Sequence, residues 1–142
     1  MATTASHSLV EEELTRVVIG AFFRVYNRLG FGFLEHVYAA ALEKELLELG
    51  LRVSREFWVR IHYEGVELCQ QRLDFVVNEK VVIELKSTLE LHKAAARQPL
   101  NCLRATNLEV GLLFHFGPTP KFHRLYAANT SKDHQSNPPL SV

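Results

Sequence analysis

Between Leu9 and Leu29 the apolar residues Leu14, Val17, Val18, Ala21, Phe22 and Val25 recur at helical intervals, which predicts a helix over about Leu9–Arg28. Ser8-Leu9-Val10-Glu11 in front of it has the spacing of a capping box. After Gly30-Phe31-Gly32, the positions Leu34, Val37, Tyr38, Ala41, Leu42, Leu46 and Leu49 repeat the helical period up to Gly50, a natural residue to end a helix. From Val53 the period shortens to that of strands. Phe57 to Tyr63, a turn at Glu64-Gly65, Val66 to Val77, a turn about Asn78-Glu79-Lys80 and Val81 to Lys86 read as an antiparallel meander. A third helix is expected between Leu91 and Arg104, then strands at Glu109–Phe116 and Lys121–Tyr126 around Gly117-Pro118. The element order is ααβββαββ. The segment 1–8 and the polar tail from Ala127 to Val142 have no apolar period and are expected to be disordered, leaving one domain over 9–126.

Composition agrees with one globular domain. The chain has 142 residues, 47% hydrophobic and 23% charged, and sixteen basic residues balance sixteen acidic ones. Zero net charge excludes a global basic field, so a polyanion must be met by a local cluster, and an oligomer or partner subunit would help to complete the binding surface. Cys69 and Cys102 lie far apart, outside any CxxC or zinc-finger spacing, which points away from a disulfide framework and toward a reducing, cytoplasmic setting. No apolar run reaches the roughly 18 residues of a membrane span, and Met1–Ser8 lacks the features of an export signal.

Several chemistries fall away on inspection. Gly30-x-Gly32 follows no strand and lacks the third glycine of a dinucleotide-binding loop. Glu11-Glu12-Glu13 reads as solvated first-turn charge. The seven histidines are scattered, so no zinc is assigned, and Ser87 and Thr88 belong to no recognisable nucleophile order.

One constellation remains. With the second turn centred on Glu79, antiparallel pairing sets Asp74 directly opposite Glu84, and Lys86 falls on the same face by the strand's period of two. A slip of one residue would separate them. Two anions among Val, Ile and Leu call for a positive charge between them. Mg²⁺ suits such a pair, with Mn²⁺ as a substitute, because it prefers oxygen ligands and is commonly held by one or two carboxylates plus substrate phosphate. Lys86 alone would satisfy the pair as a structural salt bridge. Glu35, in the first turn of the second helix, and Tyr38 three residues on project to one side of that helix.

Gly32-Phe33-Leu34-Glu35-His36-Val37-Tyr38 reads as GxxExxY. With Asp74, Glu84-Leu85-Lys86 and Gln98-Pro99-Leu100-Asn101-Cys102-Leu103, it resembles the GxxExxY family within the PD-(D/E)XK nuclease superfamily, over about Val10 to Tyr126. The resemblance implies an α/β fold: a restriction-endonuclease-like, three-layer αβββαβ core with an extra N-terminal helix and a mixed central sheet. It implies Asp74 and Glu84 as metal ligands, Lys86 orienting the attacking water, Glu35 as a further acidic ligand and Gln98 as an auxiliary polar residue. Two departures stand out. Pro99 follows Gln98 where an apolar helix residue is usual, placing Gln98 at a kink or at the cap of a shortened helix. Cys102 replaces the common tyrosine and reads as a small buried hydrophobe.

The expected activity is metal-assisted phosphodiester hydrolysis, with Asp74, Glu84, the Leu85 carbonyl and Glu35 as the metal-binding set. Arg72 and Tyr38 are the expected substrate contacts, Arg55, Arg60, Lys93 and Arg97 further basic contributors, and DNA the favoured nucleic acid over RNA. The alternatives are a domain of the same fold that binds nucleic acid or protein without cutting, and a structural domain in which Lys86 and the acids form a buried ion network.

Overall fold

The computed structural model describes residues 11–132. Helix α1 spans Glu12–Leu29 and buries Val18, Ala21, Phe22 and Val25 along one stripe. The expected cap Ser8 lies outside the described residues. Glu11 occupies the N-cap position with φ 54° and makes no side-chain cap bond, while Glu13 pairs with Arg16 on the exposed face. Helix α2, Glu35–Glu48, buries Tyr38, Ala39, Leu42 and Leu46.

Five strands follow: β1 Val53–Tyr63, β2 Val66–Val77, β3 Val81–Lys86, β4 Val110–Phe116 and β5 Pro120–Tyr126, with helix α3, Arg97–Arg104, between β3 and β4. They form one sheet in the order β1-β2-β3-β4-β5. The β3–β4 pair is parallel and every other pair is antiparallel. A parallel pair needs a crossover, and the segment carrying α3 supplies it. Every residue of β4 is buried, as befits a strand covered on both faces. On one face α1 and α2 pack over Phe75, Ile83, Leu85, Phe114 and Phe116. Phe22 stacks on Phe114 with centroids 4.4 Å apart and Tyr38 on Phe116 at 4.0 Å. On the other face α3 packs Cys102 and Leu103 against Val59, Leu73, Val76 and Val82. Helices, sheet and helix make the three layers.

The β2–β3 turn sets the register on which the site depends. Asn78 and Glu79 are both left-handed, with φ 51° and 58°, and the Lys80 N–H donates to the Val77 carbonyl at 3.0 Å. The ladder then runs Val77↔Val81, Val76↔Val82 and Phe75↔Ile83. The next position in that register joins Asp74 to Glu84. There the β2–β3 ladder stops, and β2 continues alongside β1 alone as far as the Tyr63↔Val66 pair. Glu56, opposite this break, has φ 55°. The buried side of β1 changes there: Arg55 lies over the Phe75 ring in the α1–α2 layer, whereas Phe57, Val59 and Ile61 face the α3 layer.

Helix α3 is shortened, one of the two readings that Pro99 allowed, and Pro99 falls in its first turn, where a missing N–H leaves no intrahelical bond unmade. The described chain runs on past Tyr126, the expected end of the domain. The Ala127 N–H donates to the Glu109 carbonyl at 2.8 Å, a 3-10 turn forms at Asn129–Ser131, and Lys132 Nζ donates to the carbonyls of Leu108 and Thr106 at 2.6 and 2.9 Å. Residues 127–132 lack an apolar period because backbone hydrogen bonds hold them. The segments 1–8 and 133–142, expected to be disordered, lie outside the described residues. Among the described residues no helix is long and apolar enough to cross a membrane.

Candidate active site

Where the β2–β3 ladder ends, side chains take over from backbone. Asp74 Oδ2 accepts the Leu85 N–H at 2.8 Å, and Glu84 Oε1 accepts the Asp74 N–H at 3.1 Å. Each carboxylate is thus fixed by the opposite strand, and the two are held side by side. Burial, followed by the Asp74 charge, pushes the Glu84 carboxyl up to about 8, outweighing the Asp74 N–H and Lys86, which favour its ionised form. At neutral pH the pair therefore retains a proton or takes up a cation. Lys86 is not that cation. Its ammonium makes no ion pair with either acid, so the structural salt bridge is absent.

Glu35 reaches this gap from the helical layer. Its loop needs left-handed glycines, Gly30 at φ 71° and Gly32 at φ 114°. The Tyr38 hydroxyl ties the loop down, donating to the Gly30 carbonyl at 2.5 Å and accepting the Phe33 N–H at 3.2 Å. Ser87 joins the loop to the end of β3: its hydroxyl donates to the Phe33 carbonyl at 2.6 Å, and its N–H favours the ionised form of the nearby Glu35 carboxylate. Partial burial and the Asp74 charge raise the Glu35 carboxyl above its usual range, against the pull of Lys86, the Ser87 N–H and Arg72. Glu35, Asp74, Glu84 and Lys86 therefore share one electrostatic neighbourhood although they come from three elements.

A cavity of about 420 Å³ opens beside them. Glu35, Asp74 and Leu85 form its acidic side, and Arg55, Arg72 and Glu56 face them. Arg72 pairs with Glu56 at 3.5 Å on the surface, and Arg55 with Glu43 of α2 at 3.2 Å. An anion entering the cavity meets guanidinium groups on one wall and the carboxylates of Glu35 and Asp74 on the other.

Two expected site residues do not reach it. Tyr38 is fully buried and its hydroxyl is satisfied by backbone, so it positions the Glu35 loop and does not contact substrate. Gln98 is exposed on the first turn of α3 and lines no part of the cavity. The polar residue facing α3 is Gln71, whose Oε1 accepts the Cys102 thiol at 3.0 Å. Cys102 is buried, and burial with the nearby Glu84 charge pushes its thiol up to about 11, leaving it unreactive. Arg72 lies opposite Trp58 of β1. Ser87 and Glu56 were not evident as site residues. Ser87 had one signal, its place directly after Lys86 at a strand end. Glu56 had none, since its left-handed backbone follows from the break in the ladder.

The donor set suits a hard divalent cation. All its side-chain atoms are carboxylate oxygens, and a pair that raises Glu84 to about 8 gains most from a positive charge. Among the described residues no group of three or more His, Cys, Asp or Glu stands ready to hold an ion. Asp74 and Glu84 are the carboxylates that would hold such an ion, and Glu35 reaches the same gap from α2. A cation held this way must complete its shell with water, backbone carbonyl and substrate oxygen, the habit of Mg²⁺.

A family model described as the PD-(D/E)XK nuclease superfamily matches residues 12–125. No curated protein matches the chain. Among solved structures, the crystal structure of SSO0001 is similar at a TM-score of 0.50 and 15% identity, a likeness of fold that covers 87% of this chain and 62% of that one. The fold is restriction-endonuclease-like.

Proposed function

Because this chain belongs to the PD-(D/E)XK nuclease superfamily, we propose that it hydrolyses phosphodiester bonds of nucleic acid with the help of Mg²⁺ or Mn²⁺, and that it is of the GxxExxY type. The observation that carries this reading is the cross-bonded Asp74–Glu84 pair, whose Asp74 lines a cavity together with Glu35 and two arginines. Asp74, Glu84 and the Leu85 carbonyl would hold the ion. Bound there, it would supply Lewis-acid polarisation of a phosphoryl oxygen and lower the pKa of an attacking water.

The chain's own groups do the rest. Lys86, half-buried and without an ion pair among the described residues, places the attacking water and offsets charge developing on phosphate oxygens. Glu35, with its raised carboxyl, takes and returns a proton at the edge of the site. Arg55 and Arg72 orient the phosphates on the far wall of the cavity. Tyr38 and Ser87 keep Glu35 against the end of β3. DNA is the first substrate to test. Two cysteines without a disulfide, Cys102 buried and Cys69 exposed, support a reducing, cytoplasmic setting.

The test is cleavage of single- and double-stranded DNA and RNA in Mg²⁺ or Mn²⁺ by the wild type, Asp74→Ala and Lys86→Ala. Cleavage lost in both variants and on addition of EDTA, with folds intact by circular dichroism, is the expected result. Equal cleavage by wild type and Lys86→Ala sinks the assignment of this site, and no cleavage by the wild type leaves a non-cutting domain on the nuclease fold.

A further inference from the structure

The outer halves of β1 and β2 carry features that hydrolysis at the carboxylate pair does not use. Beyond Glu56, the face of this ribbon with Phe57, Val59, Ile61 and Leu73 packs into the α3 layer. By alternation the other face presents Trp58 and Arg60. Trp58 is the chain's one tryptophan and is 56% exposed. Its ring stacks on no other ring among the described residues. It lies directly across from Arg72, which lines the cavity together with Asp74. Arg72 is two strand positions from Asp74, ~7 Å along the chain, so the indole is the next surface outward from the site, about one nucleotide away.

The surrounding charges suit a phosphate backbone. Arg72 and Arg60 are held only by surface carboxylates, Glu56 and Glu67, each at 3.5 Å, and such exposed pairs are weak enough for phosphate to displace. Arg55, on the cavity wall, is held in place by Glu43 and by the Phe75 ring beneath it, so its charge is fixed where a phosphate would enter.

A large flat ring left in water beside guanidinium groups matches a nucleobase followed by its phosphate. The base must be unpaired, because bases in a duplex are already covered on both faces by their neighbours, whereas a single strand offers its π-faces freely. We propose that Trp58, with Arg72 and Arg55, docks an unpaired nucleotide next to the reacting phosphate, so that the substrate class is a single-stranded segment of nucleic acid. This rests on the nuclease reading and adds to it the form of strand the site accepts.

The lone tryptophan makes the test direct. Full-length protein is titrated with short oligothymidylate, oligouridylate and a blunt DNA duplex in EDTA, so that nothing is cut, with Trp58 emission and oligonucleotide anisotropy followed together. Quenching by a single strand but not by the duplex, and affinity about tenfold or more weaker in Trp58→Ala with partial recovery in Trp58→Phe, is the expected result. Duplex quenching equal to single-strand quenching, or anisotropy binding unchanged in a folded Trp58→Ala, overturns the proposal while leaving the hydrolase intact if cleavage persists. No binding of any oligonucleotide and no cleavage in Mg²⁺ or Mn²⁺ overturns both, and the patch is then a protein contact.

Discussion

Strand β2 has two halves with opposite environments. Its C-terminal half, Phe75 to Val77, is buried between β1 and β3 beneath helices on both faces. Its N-terminal half pairs with β1 alone and exposes Val66 and Leu68, with Trp58 and Tyr63 exposed on the partner strand. The carboxylate pair sits where one half becomes the other. Asp74 is the first residue of β2 beyond the β3 ladder, and its carboxylate and N–H bond Leu85 and Glu84 in place of a ladder rung. A fully laddered strand would hold no cavity at this point, and a free ribbon would not hold two acids in contact. Rigidity on one side and openness on the other make the site.

The largest way to break this contrast acts at the junction itself. Lys86→Ala is expected to lower kcat by about 10²–10³-fold with little change in Tm, because the ammonium acts on developing charge and holds no ion pair among the described residues. A parallel collapse of Tm would show instead that Lys86 is structural.

Next comes the buried half. Phe75 is fully buried, and Arg55 lies over its ring at 4.8 Å. Phe75→Ala is expected to cost about 3–5 kcal/mol in urea unfolding, through lost transfer energy and the cavity left behind. A loss below about 1 kcal/mol would mean that this half of β2 is not the anchor.

The sequence showed the junction better than it showed either half. Asp74, Glu84 and Lys86 were legible because a strand's period of two and a turn centred on Glu79 leave one register, and the turn is a local matter of Asn78 and Glu79 adopting left-handed backbone. Glu35 was legible from its place after Gly32. Tyr38 misled because helical spacing tells which side a residue faces but not whether its hydroxyl meets water or, as here, the Gly30 carbonyl. Gln98 misled because the start of α3 is set by a loop without periodicity and by Pro99 in the first turn. The switch of buried face at Glu56 was invisible, since it arises only when β2 outruns β3. Lys132 was assigned to a tail because an ammonium that bonds carbonyls leaves no apolar signature.

The loop holding Glu35 to the junction offers an intermediate effect. Tyr38→Phe keeps the stack on Phe116 but leaves the Gly30 carbonyl and the Phe33 N–H without their shared partner. It is expected to cost about 1–3 kcal/mol and to lower kcat more than it raises KM, because Glu35 loses its placement. An unchanged kcat would remove Tyr38 from the positioning apparatus.

The junction should also show itself in pH. Glu84 has a folded value of about 8 against an ordinary 4.5, so the folded state binds its proton more tightly than the unfolded chain does. That contribution to stability is full below about 4.5 and is lost as pH rises through 8. In EDTA the wild type should therefore lose Tm between those limits relative to Glu84→Gln, and Mg²⁺ should stabilise it more as pH rises, since the ion competes with the proton. Parallel curves for the two proteins would show that Glu84 is not held beside Asp74.

The smallest expected effect sharpens the contrast from the open side. Leu68 is 61% exposed on the two-stranded half of β2, where the β1–β2 register shifts between Ile61 and His62. Leu68→Gln removes apolar surface that is already in water and leaves the backbone ladder unchanged, so unfolding free energy should move by no more than about 0.5 kcal/mol. Set beside the loss from Phe75→Ala, that near-silence would show stability concentrated on one side of Asp74 and surface free for binding on the other. A loss above about 1 kcal/mol would mean that the outer ribbon is packed against something in solution, and the division of β2 at Asp74 would fall.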